Sequence, residues 1–214
     1  IEIIYIILKG IIFDFDGVIA ESVQVKSDAF ASLYKQYGDN IITKVIEHHE
    51  ANGGMSRFEK IKLYHESYLN KAITNKENEE LASQFSELVV EKVIDAPYVP
   101  GALEYIQQSY KQYKLLISTG TPTQEMNKIL SGRKIAHYFT DVFGSPPKKI
   151  EHLNNIMSIY GMKPNELIFY GDSNADLDAA CNANIKFVLN RNQHNEKLVL
   201  QFNGIIIDGF TELL

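Results

Sequence analysis

Apolar runs and helical patterns divide the chain into two parts with different organisation. The first short apolar run, residues 11–13 (IIF), leads into the segment DFDG, which contains Asp14 and Asp16. A continuous apolar run bounded by a turn residue predicts a strand that is buried on both faces, as in a parallel sheet. Because alternate residues of a strand share a face, the two carboxylates are expected on the same side at the end of this strand.

The segment from residue 20 to residue 95 contains only helical patterns. Apolar positions recur at helical spacing over 22–37, and further helices are predicted over 57–71 and 76–94. Ser56 is the expected N-cap of the 57–71 helix. Glu59, three residues later, supplies the other half of a capping box.

The APYVPG segment at 96–101 marks a boundary, because it contains two prolines and a glycine. Beyond it, helical patterns alternate with short apolar runs, which predicts βαβ units, right-handed crossovers and a parallel sheet. We therefore expect a doubly wound α/β core made of residues 1–18 and 98–214, with residues 19–97 inserted as a helical domain. The strands predicted in the second part lie at 114–118, 166–170, 185–189 and 204–207.

Composition and charge narrow the class of protein. The chain has 214 residues, of which 45% are apolar, and its formal net charge is −6. The size fits a core domain with a modest insertion, and the acidic balance disfavours nucleic-acid binding. The single cysteine, Cys181, rules out an internal disulfide and fits a reducing, cytoplasmic setting. It lies in the small-residue segment LDAACNA, where we expect a buried structural thiol.

The opening residues 1–8 are strongly apolar. They are too few to span a bilayer, which takes about 20 residues, and they lack the basic flank and cleavage site of a secretory signal. We expect an additional strand, or an extension ahead of a core that starts near Lys9, and no association with membranes.

Polar residues recur at the predicted carboxyl ends of the strands, which form the ligand-binding edge of an open α/β sheet. Carboxylates gathered at such an edge repel one another and cost desolvation energy unless a cation compensates them. A hard divalent cation with oxygen ligands is the natural partner. The residues at this edge are Asp14, Asp16, Thr119, Lys149, Asp172 and Asp176.

In this order the motifs resemble those of the haloacid dehalogenase-like superfamily of phosphotransferases, over essentially the whole core from Lys9 to residue 207. The resemblance implies that Asp14 is the nucleophile that takes up the phosphoryl group. It implies that Asp16 protonates the leaving oxygen and then deprotonates the attacking water. It also implies Mg²⁺ as cofactor, bound by Asp14, the backbone carbonyl of Asp16 and Asp172.

The same resemblance assigns roles to the remaining core residues. Thr119 and the backbone N–H of Gly120 would hold the phosphoryl oxygens. Lys149 would neutralise the nucleophile and the phosphate, because a carboxylate cannot otherwise approach an anionic phosphate. Asp176 and Ser173 would support the site around the phosphate.

Two of these assignments have an adjacent competitor. Ser118 also lies at the strand end, and we prefer Thr119 because KLLIS fills the strand and Thr119 then opens the loop. Lys148 precedes Lys149, and the GSPxxK form of the motif favours the second lysine.

The helical insertion lies where this superfamily carries its α-helical type 1 cap, which closes over the site and excludes water. Its segment GGMSRFEK, residues 53–60, resembles the cap substrate loop of β-phosphoglucomutase-like members. That resemblance implies that Arg57 grips a substrate oxyanion. Lys60 and, near the hinge, Ser22 are further candidates for substrate contact. The alternative is that Arg57 and Lys60 are solvated first-turn residues.

His48 and His49 come just before this loop. A metal site needs more partners than an adjacent pair provides, and neighbouring residues of a helix point apart. We therefore expect surface or loop-packing histidines. Lys26 stands where β-phosphoglucomutases carry a histidine important to closure, and this departure counts against mutase activity.

The leading hypothesis is therefore a cytoplasmic, Mg²⁺-dependent phosphatase of small, sugar-like phosphomonoesters, acting as a monomer or homodimer. One alternative is a phosphomutase on the same scaffold, in which Arg57 holds one phosphate while Asp14 handles the other. A second alternative is a non-catalytic binding protein with this fold. The complete set of Asp14, Asp16, Lys149 and Asp172 argues against the binding protein.

Overall fold

Six parallel strands form the core sheet in the computed structural model, which describes residues 7–214. The expectation for residues 1–6 lies outside this described part. The strands are β1 (Gly10–Phe13), β2 (Lys114–Pro122), β3 (Asp141–Ser145), β4 (Leu167–Gly171), β5 (Lys186–Asn190) and β6 (Ile205–Ile207). Their order across the sheet is β3-β2-β1-β4-β5-β6, and all neighbours are parallel. The predicted doubly wound α/β fold is confirmed.

Helices cover both faces of the sheet and form the inserted segment. The first four are α1 (Val23–Tyr34), α2 (Asp39–Ala51), α3 (Arg57–Leu63) and α4 (Asn75–Asp95). All four follow β1 in the chain and make up the inserted segment. The remaining helices are α5 (Ala102–Ser109), α6 (Thr123–Gly132), α7 (Lys149–Tyr160), α8 (Asn174–Ala183) and α9 (Glu196–Gln201).

The two linkers that enter and leave the α1–α4 segment run side by side. The Glu21 N–H donates to the Pro97 carbonyl at 2.9 Å, and the Val99 N–H donates to the Ile19 carbonyl at 3.0 Å. The chain therefore enters and leaves the helical segment at one place beside the sheet.

Alternation of side chains along β1 separates two hydrophobic cores. Ile11 and Phe13 belong to a core shared with α5, α6 and the α1–α4 segment, whereas Ile12 belongs to a core shared with α7 and α8. All three residues are fully buried. Burial on both faces explains why the sequence of β1 is continuously apolar.

The strand register brings the polar residues to one edge. Phe13, the last residue of β1, pairs with Ile117 of β2 and Tyr170 of β4. The Asp14 N–H extends this ladder by donating to the Tyr170 carbonyl at 2.9 Å. The residues that follow each of these strands therefore meet at the carboxyl edge of the sheet.

Two local details of the insertion differ from expectation. Ser56 caps α3 by accepting from the Phe58 N–H at 3.3 Å, but Glu59 does not complete a capping box among the described residues and lies 3.8 Å from the Lys148 ammonium. The helix predicted over 57–71 ends at Leu63, and a π-helical turn (Tyr64–Tyr68) follows it.

Cys181 is exposed, so the expectation of a buried thiol is wrong. Its helix, α8, buries Asp176, Ala179, Ala180 and Ala183 instead. These positions follow helical spacing, and position 181 falls on the opposite face. None of the helices in the described residues is long and apolar enough to cross a bilayer.

Candidate active site

Asp14 lies at the centre of the carboxyl edge, only 4% exposed. The Phe15 N–H donates to Asp14 Oδ1 at 2.7 Å, and the Lys149 ammonium lies 2.8 Å from Asp14 Oδ2. The turn after it requires Gly17, which has φ of +75°, and a Cβ there would lie 2.2 Å from Asp172 Oδ2. The DFDG turn thus presents Asp14 and admits the second acidic loop beside it.

Asp176 anchors Lys149 and the acidic loop that follows β4. Its Oδ1 accepts from the Lys149 ammonium at 2.5 Å, and its Oδ2 accepts from the Ser173 hydroxyl at 2.6 Å. The backbone N–H groups of Asp172 and Ser173 also reach Asp176 Oδ2, at 3.3 and 3.1 Å. Both oxygens of Asp176 are therefore held by the protein itself, which makes Asp176 a positioning residue.

Carboxylate oxygens of Asp14, Asp172 and Asp176 lie within 4.8 Å of one another. Burial is the main cause that raises the pKa of Asp14, to about 7, with Lys149 opposing the rise. Burial and the Asp14 charge raise the pKa of Asp172 well above its usual range. Both Asp176 oxygens are held by the protein, whereas Asp14 shares one ammonium with Asp176 and Asp172 has no ion pair among the described residues, so a hard divalent ion bound by Asp14 and Asp172 fits this donor set.

Asp16 has different neighbours from Asp14. Its carboxylate accepts from the Ser22 hydroxyl at 2.6 Å and from the Lys26 ammonium. Lys26 also donates to the Thr121 hydroxyl at 2.7 Å. Burial alone would raise the pKa of Asp16, but the Lys26 charge and the two hydrogen bonds outweigh it and lower the pKa. Sequence reasoning noted Ser22 and Lys26 without pairing either of them with Asp16.

The neighbouring candidates Ser118 and Thr119 differ in their contacts, and so do Lys148 and Lys149. The Ser118 hydroxyl lies 3.0 Å from His152 Nδ1 of α7, whereas the Thr119 hydroxyl accepts from the Thr121 N–H at 3.1 Å. The strand β2 continues to Pro122, so the expectation that Thr119 opens a loop is wrong. Lys148 is largely exposed, while Lys149 is buried against Asp14. Thr119 and Lys149 therefore stay the preferred candidates, and of the two lysines only Lys149 contacts Asp14.

Arg57, expected to grip the substrate, is buried and bound to Glu125 of α6. Its two terminal nitrogens lie 2.9 and 2.5 Å from the two Glu125 oxygens, and Ser86 accepts a further bond at 2.7 Å. This bidentate pair joins α3 of the insertion to the sheet domain. Glu125 was not anticipated from the sequence, because it lies 68 positions away in a helix with no motif.

Lys60 is also buried, with only 1% of its surface exposed. Its ammonium lies 2.7 Å from His49 Nδ1 and 3.3 Å from the His49 carbonyl. The solvated alternative is therefore wrong for Lys60, as it is for Arg57. The expectation of a surface or loop-packing role is wrong for His49, which α2 turns inward while His48 stays partly exposed.

Asn192 and Asn195 hold Asp172 from the loop after β5, and sequence reasoning missed both. Asn192 Nδ2 donates to Asp172 Oδ2 at 2.8 Å, and Asn195 Nδ2 donates to the Asp172 carbonyl at 2.8 Å. The signal available was the polar run NRNQHN, which follows an apolar strand and so falls at the same edge of the sheet.

The insertion closes over these residues. A Cβ on Gly120 would lie 3.1 Å from the carbonyl oxygen of Gly54 in the cap loop, so the two loops touch. Two adjoining cavities of about 30 Å³ each lie beside Asp14 between insertion and sheet, and a larger one of about 250 Å³ opens between the cap loop and Lys149. Of the two smaller cavities, one includes Asp172 in its wall and the other Lys60, and both are lined by Asp14, Asp16, Lys26, His49 and Gly53.

Comparison with known proteins shows the family to which the chain belongs. Residues 11–190 match the model of the family described as haloacid dehalogenase-like hydrolase. The chain is 26% identical over 197 residues to a phosphoglycolate phosphatase of Aquifex aeolicus, covering 85% of this chain and 84% of that protein. It is 26% identical over 191 residues to a phosphorylated carbohydrates phosphatase of Thermotoga maritima, covering 84% and 83%.

Solved structures show the same fold. A β-phosphoglucomutase from Clostridium difficile superposes with a TM-score of 0.77 at 21% identity, covering 97% of this chain and 94% of the other. At this level of identity the likeness concerns the fold, and the chemistry has to be argued from the residues of this chain.

Proposed function

The chain belongs to the haloacid dehalogenase-like hydrolases and is a phosphatase, and from this premise we propose that it hydrolyses a small phosphorylated metabolite with Mg²⁺ through an aspartyl phosphate on Asp14. The observation that supports the proposal best is the buried Asp14 carboxylate, held by Lys149 on one side and facing Asp172 on the other. Phosphoryl transfer depends mainly on such positioning and charge neutralisation.

Asp14 acts as the nucleophile. One of its carboxylate oxygens attacks phosphorus while the bond from phosphorus to the ester oxygen breaks. The Lys149 ammonium, fixed by Asp176, reduces the repulsion between the carboxylate and the phosphoryl oxygens. Thr119 and the Gly120 N–H, near the carboxyl end of β2, hold the phosphoryl oxygens during this step.

Asp16 acts as the general acid and then as the general base. It gives one to the leaving oxygen as the ester bond breaks, and it takes one from the water that then attacks the aspartyl phosphate. The bond from phosphorus to Asp14 breaks in this second step, which releases inorganic phosphate and restores the carboxylate. Lys26 and Ser22 fix the orientation of the Asp16 carboxylate.

Mg²⁺, when bound, supplies charge neutralisation for the nucleophile and the transferring phosphoryl group. Asp14, Asp172 and the backbone carbonyl of Asp16 would hold it, and Asn192 and Asn195 fix the position of Asp172. A site that offers few protein oxygens and leaves the remaining ligand positions to water suits Mg²⁺.

The phosphomutase alternative requires the cap to hold a second phosphate while the intermediate turns around. The cap residue expected to do this, Arg57, is neutralised by Glu125. This observation favours hydrolysis over mutase chemistry.

The test is phosphate release from a panel of small phosphomonoesters, with Mg²⁺ or with excess EDTA. We expect turnover that needs Mg²⁺ and that disappears in Asp14→Asn, which preserves the shape of the side chain but removes the nucleophile. Asp28→Asn on the exposed face of α1 is the matched control and should keep its turnover. Full activity of Asp14→Asn, or activity in EDTA, would show that this mechanism is wrong.

A further inference from the structure

The buried imidazole of His49 uses one of its two ring nitrogens to bind the protein. His49 lies in α2 and is only 4% exposed. The Lys60 ammonium lies 2.7 Å from Nδ1, and the ring of Phe30 packs against the imidazole with the ring centroids 4.9 Å apart. Nε2 is buried as well, but it has no hydrogen-bond partner among residues 7–214. Leaving a buried polar atom unpaired is costly, so the position of Nε2 needs an explanation.

Lys60 determines which nitrogen of His49 carries the proton. Its ammonium can only donate, and it also lies 3.3 Å from the His49 carbonyl. Nδ1 is therefore the acceptor, and the proton of the neutral ring lies on Nε2. Burial, followed by the charge of Lys60, lowers the pKa of His49 well below its usual range, so the ring stays neutral. Burial also lowers the pKa of Lys60, but an amine that donates to both the carbonyl and Nδ1 leaves the ring in the same tautomer.

His49 lies in the walls of both of the smaller cavities beside the nucleophile. Each cavity measures about 30 Å³, and each is also lined by Asp14 and Asp16. A buried water molecule needs about 10–15 Å³ and several polar partners. The cavities therefore have room for water, and they offer it an imidazole from the insertion and a carboxylate from the sheet.

We propose that His49 is a positioning residue for the water that attacks the aspartyl phosphate. This rests on the phosphatase function proposed above and specifies how its second step is carried out. The water accepts a hydrogen bond from Nε2–H and donates one to Asp16, which turns a lone pair of its oxygen towards phosphorus. The oxygen then bonds to phosphorus, the proton passes to Asp16, and the bond from phosphorus to Asp14 breaks. His49 keeps its own proton throughout.

The proposal ties hydrolysis to the closed insertion. His49 belongs to α2 and Lys60 to α3, whereas Asp14 and Asp16 directly follow β1. The two groups that hold the water therefore come from the inserted segment and from the sheet, and both are in place only when the insertion is closed. A displacement of about 1 Å from the reactive geometry can slow a reaction by about 100-fold.

The test measures the two steps separately in Mg²⁺, with radiolabelled para-nitrophenyl phosphate. Nitrophenolate leaves without needing a proton, so its release in the first turnover reports the formation of the aspartyl phosphate. Acid quenching traps the labelled aspartyl phosphate, and a chase with unlabelled ester gives the rate at which the label is lost to water.

Two substitutions of His49 separate the roles of its two nitrogens. Asparagine keeps an acceptor for Lys60 near the position of Nδ1 but does not reach the position of Nε2, whereas glutamine places an amide donor there. We expect His49→Asn to lose the label about 100-fold more slowly than the wild type, with first-turnover release of nitrophenolate unchanged. His49→Gln should recover most of the rate. His48→Asn, the same change at the neighbouring histidine outside both cavities, should behave like the wild type.

A purely structural role predicts the opposite order, because asparagine preserves the bond to Lys60. The positioning role is wrong if His49→Gln loses the label as slowly as His49→Asn or more slowly, or if both variants resemble the wild type. It is also wrong if nitrophenolate release slows as much as the loss of label, so that no aspartyl phosphate accumulates. In these cases the wild type still turns over, and the phosphatase function stands. If the wild type releases no nitrophenolate, the proposed function fails, and the role of His49 fails with it.

Discussion

Single hydrogen bonds set the position of the charged groups at the site, and Asn192 is the clearest example. Its amide donates to Asp172 Oδ2 at 2.8 Å, which fixes the carboxylate that would bind the metal together with Asp14. Partners of this kind typically change metal affinity about 10- to 100-fold when they are removed. We therefore expect Asn192→Ala to raise the Mg²⁺ concentration for half-maximal phosphate release by about that factor.

Gln193→Ala is the control for this measurement, because Gln193 is the next residue, is exposed and does not contact Asp172. It should leave the Mg²⁺ requirement unchanged. If Asn192→Ala shows the Mg²⁺ dependence of the wild type, Asn192 does not position Asp172.

The buried side chain of His152, on α7, makes the free energy of unfolding depend on pH. It is buried against Ser118, and burial, followed by the charge of Lys149, lowers its pKa from 6.5 to about 4. Below pH 6.5 the unfolded chain therefore takes up a proton that the folded chain does not, so the free energy of unfolding falls as pH drops towards 4. Each pKa unit corresponds to about 1.4 kcal/mol, which gives about 3 kcal/mol in all.

The measurement is urea denaturation at several pH values from 7 down to 4, comparing wild type with His152→Asn. Asparagine keeps an acceptor near the Ser118 hydroxyl but does not titrate, so the variant should lose about 3 kcal/mol less stability over this range. His137→Asn, at an exposed position, should follow the wild type. Parallel curves for His152→Asn and wild type would contradict the assignment.

At the scale of elements, α3 and α6 are joined by the buried pair of Arg57 and Glu125. Removing one partner leaves the other charge buried and uncompensated, which typically costs about 3–5 kcal/mol. Glu125→Gln should therefore lower the free energy of unfolding by about that amount. Glu125→Gln combined with Arg57→Met should cost less than the sum of the two single changes, because the double variant leaves no unpaired charge.

The exposed pair of Lys62 and Glu66, in the same segment of the insertion as Arg57, provides the control. It is an i,i+4 pair at 3.9 Å, and Glu66→Gln should change the free energy of unfolding by less than about 0.5 kcal/mol. Additive losses in the double variant would mean that Arg57 and Glu125 are not coupled, which leaves Arg57 free for the substrate as the sequence implied.

These elements also show what the sequence could predict. The strands β1, β2, β4, β5 and β6 were predictable because their apolar runs are continuous, and strand ends in a parallel sheet fall at one edge, which brought Asp14 and Asp172 together. Lys149 follows β3, whose sequence DVFGS has no continuous apolar run and was not predicted as a strand. The partners of Lys60 and Arg57 were not predictable. They depend on how α2, α3 and α6 pack around the cavity, and packing between distant segments leaves no local pattern in the sequence.

At the scale of the whole molecule, buried charged side chains of opposite sign line the adjoining cavities between the sheet and the insertion. On the sheet side, Asp14 shares the Lys149 ammonium with Asp176, and Asp172 forms no ion pair among the described residues; on the insertion side, Lys60 has no carboxylate partner among them. Asp172 and Lys60 line two adjoining cavities that both include Asp14, and a divalent cation beside Asp14 and Asp172 would compensate the carboxylates. The closed arrangement is thus less stable on its own than with its ligands, as expected for a functional site.

This imbalance predicts that Mg²⁺ stabilises the whole protein. A ligand at about 100 times its dissociation constant adds about 2.7 kcal/mol to the free energy of unfolding. For a protein of this size, each kcal/mol raises the melting temperature by about 2–4 °C. Saturating Mg²⁺ should therefore raise the melting temperature of the wild type by about 5–10 °C relative to EDTA, measured by scanning calorimetry.

Asp172→Asn tests where that stabilisation comes from. It should abolish most of the Mg²⁺ effect, because only one of the two carboxylates proposed to hold the ion is left to bind it. In EDTA the same variant should melt higher than the wild type, since it removes one of two buried carboxylates that repel each other, and Asn192 can still donate to the new amide oxygen. Asp28→Asn should behave like the wild type in both conditions. An Asp172→Asn protein with the full Mg²⁺ shift would place the ion elsewhere, and one that melts lower in EDTA would show that the two carboxylates do not destabilise the metal-free fold.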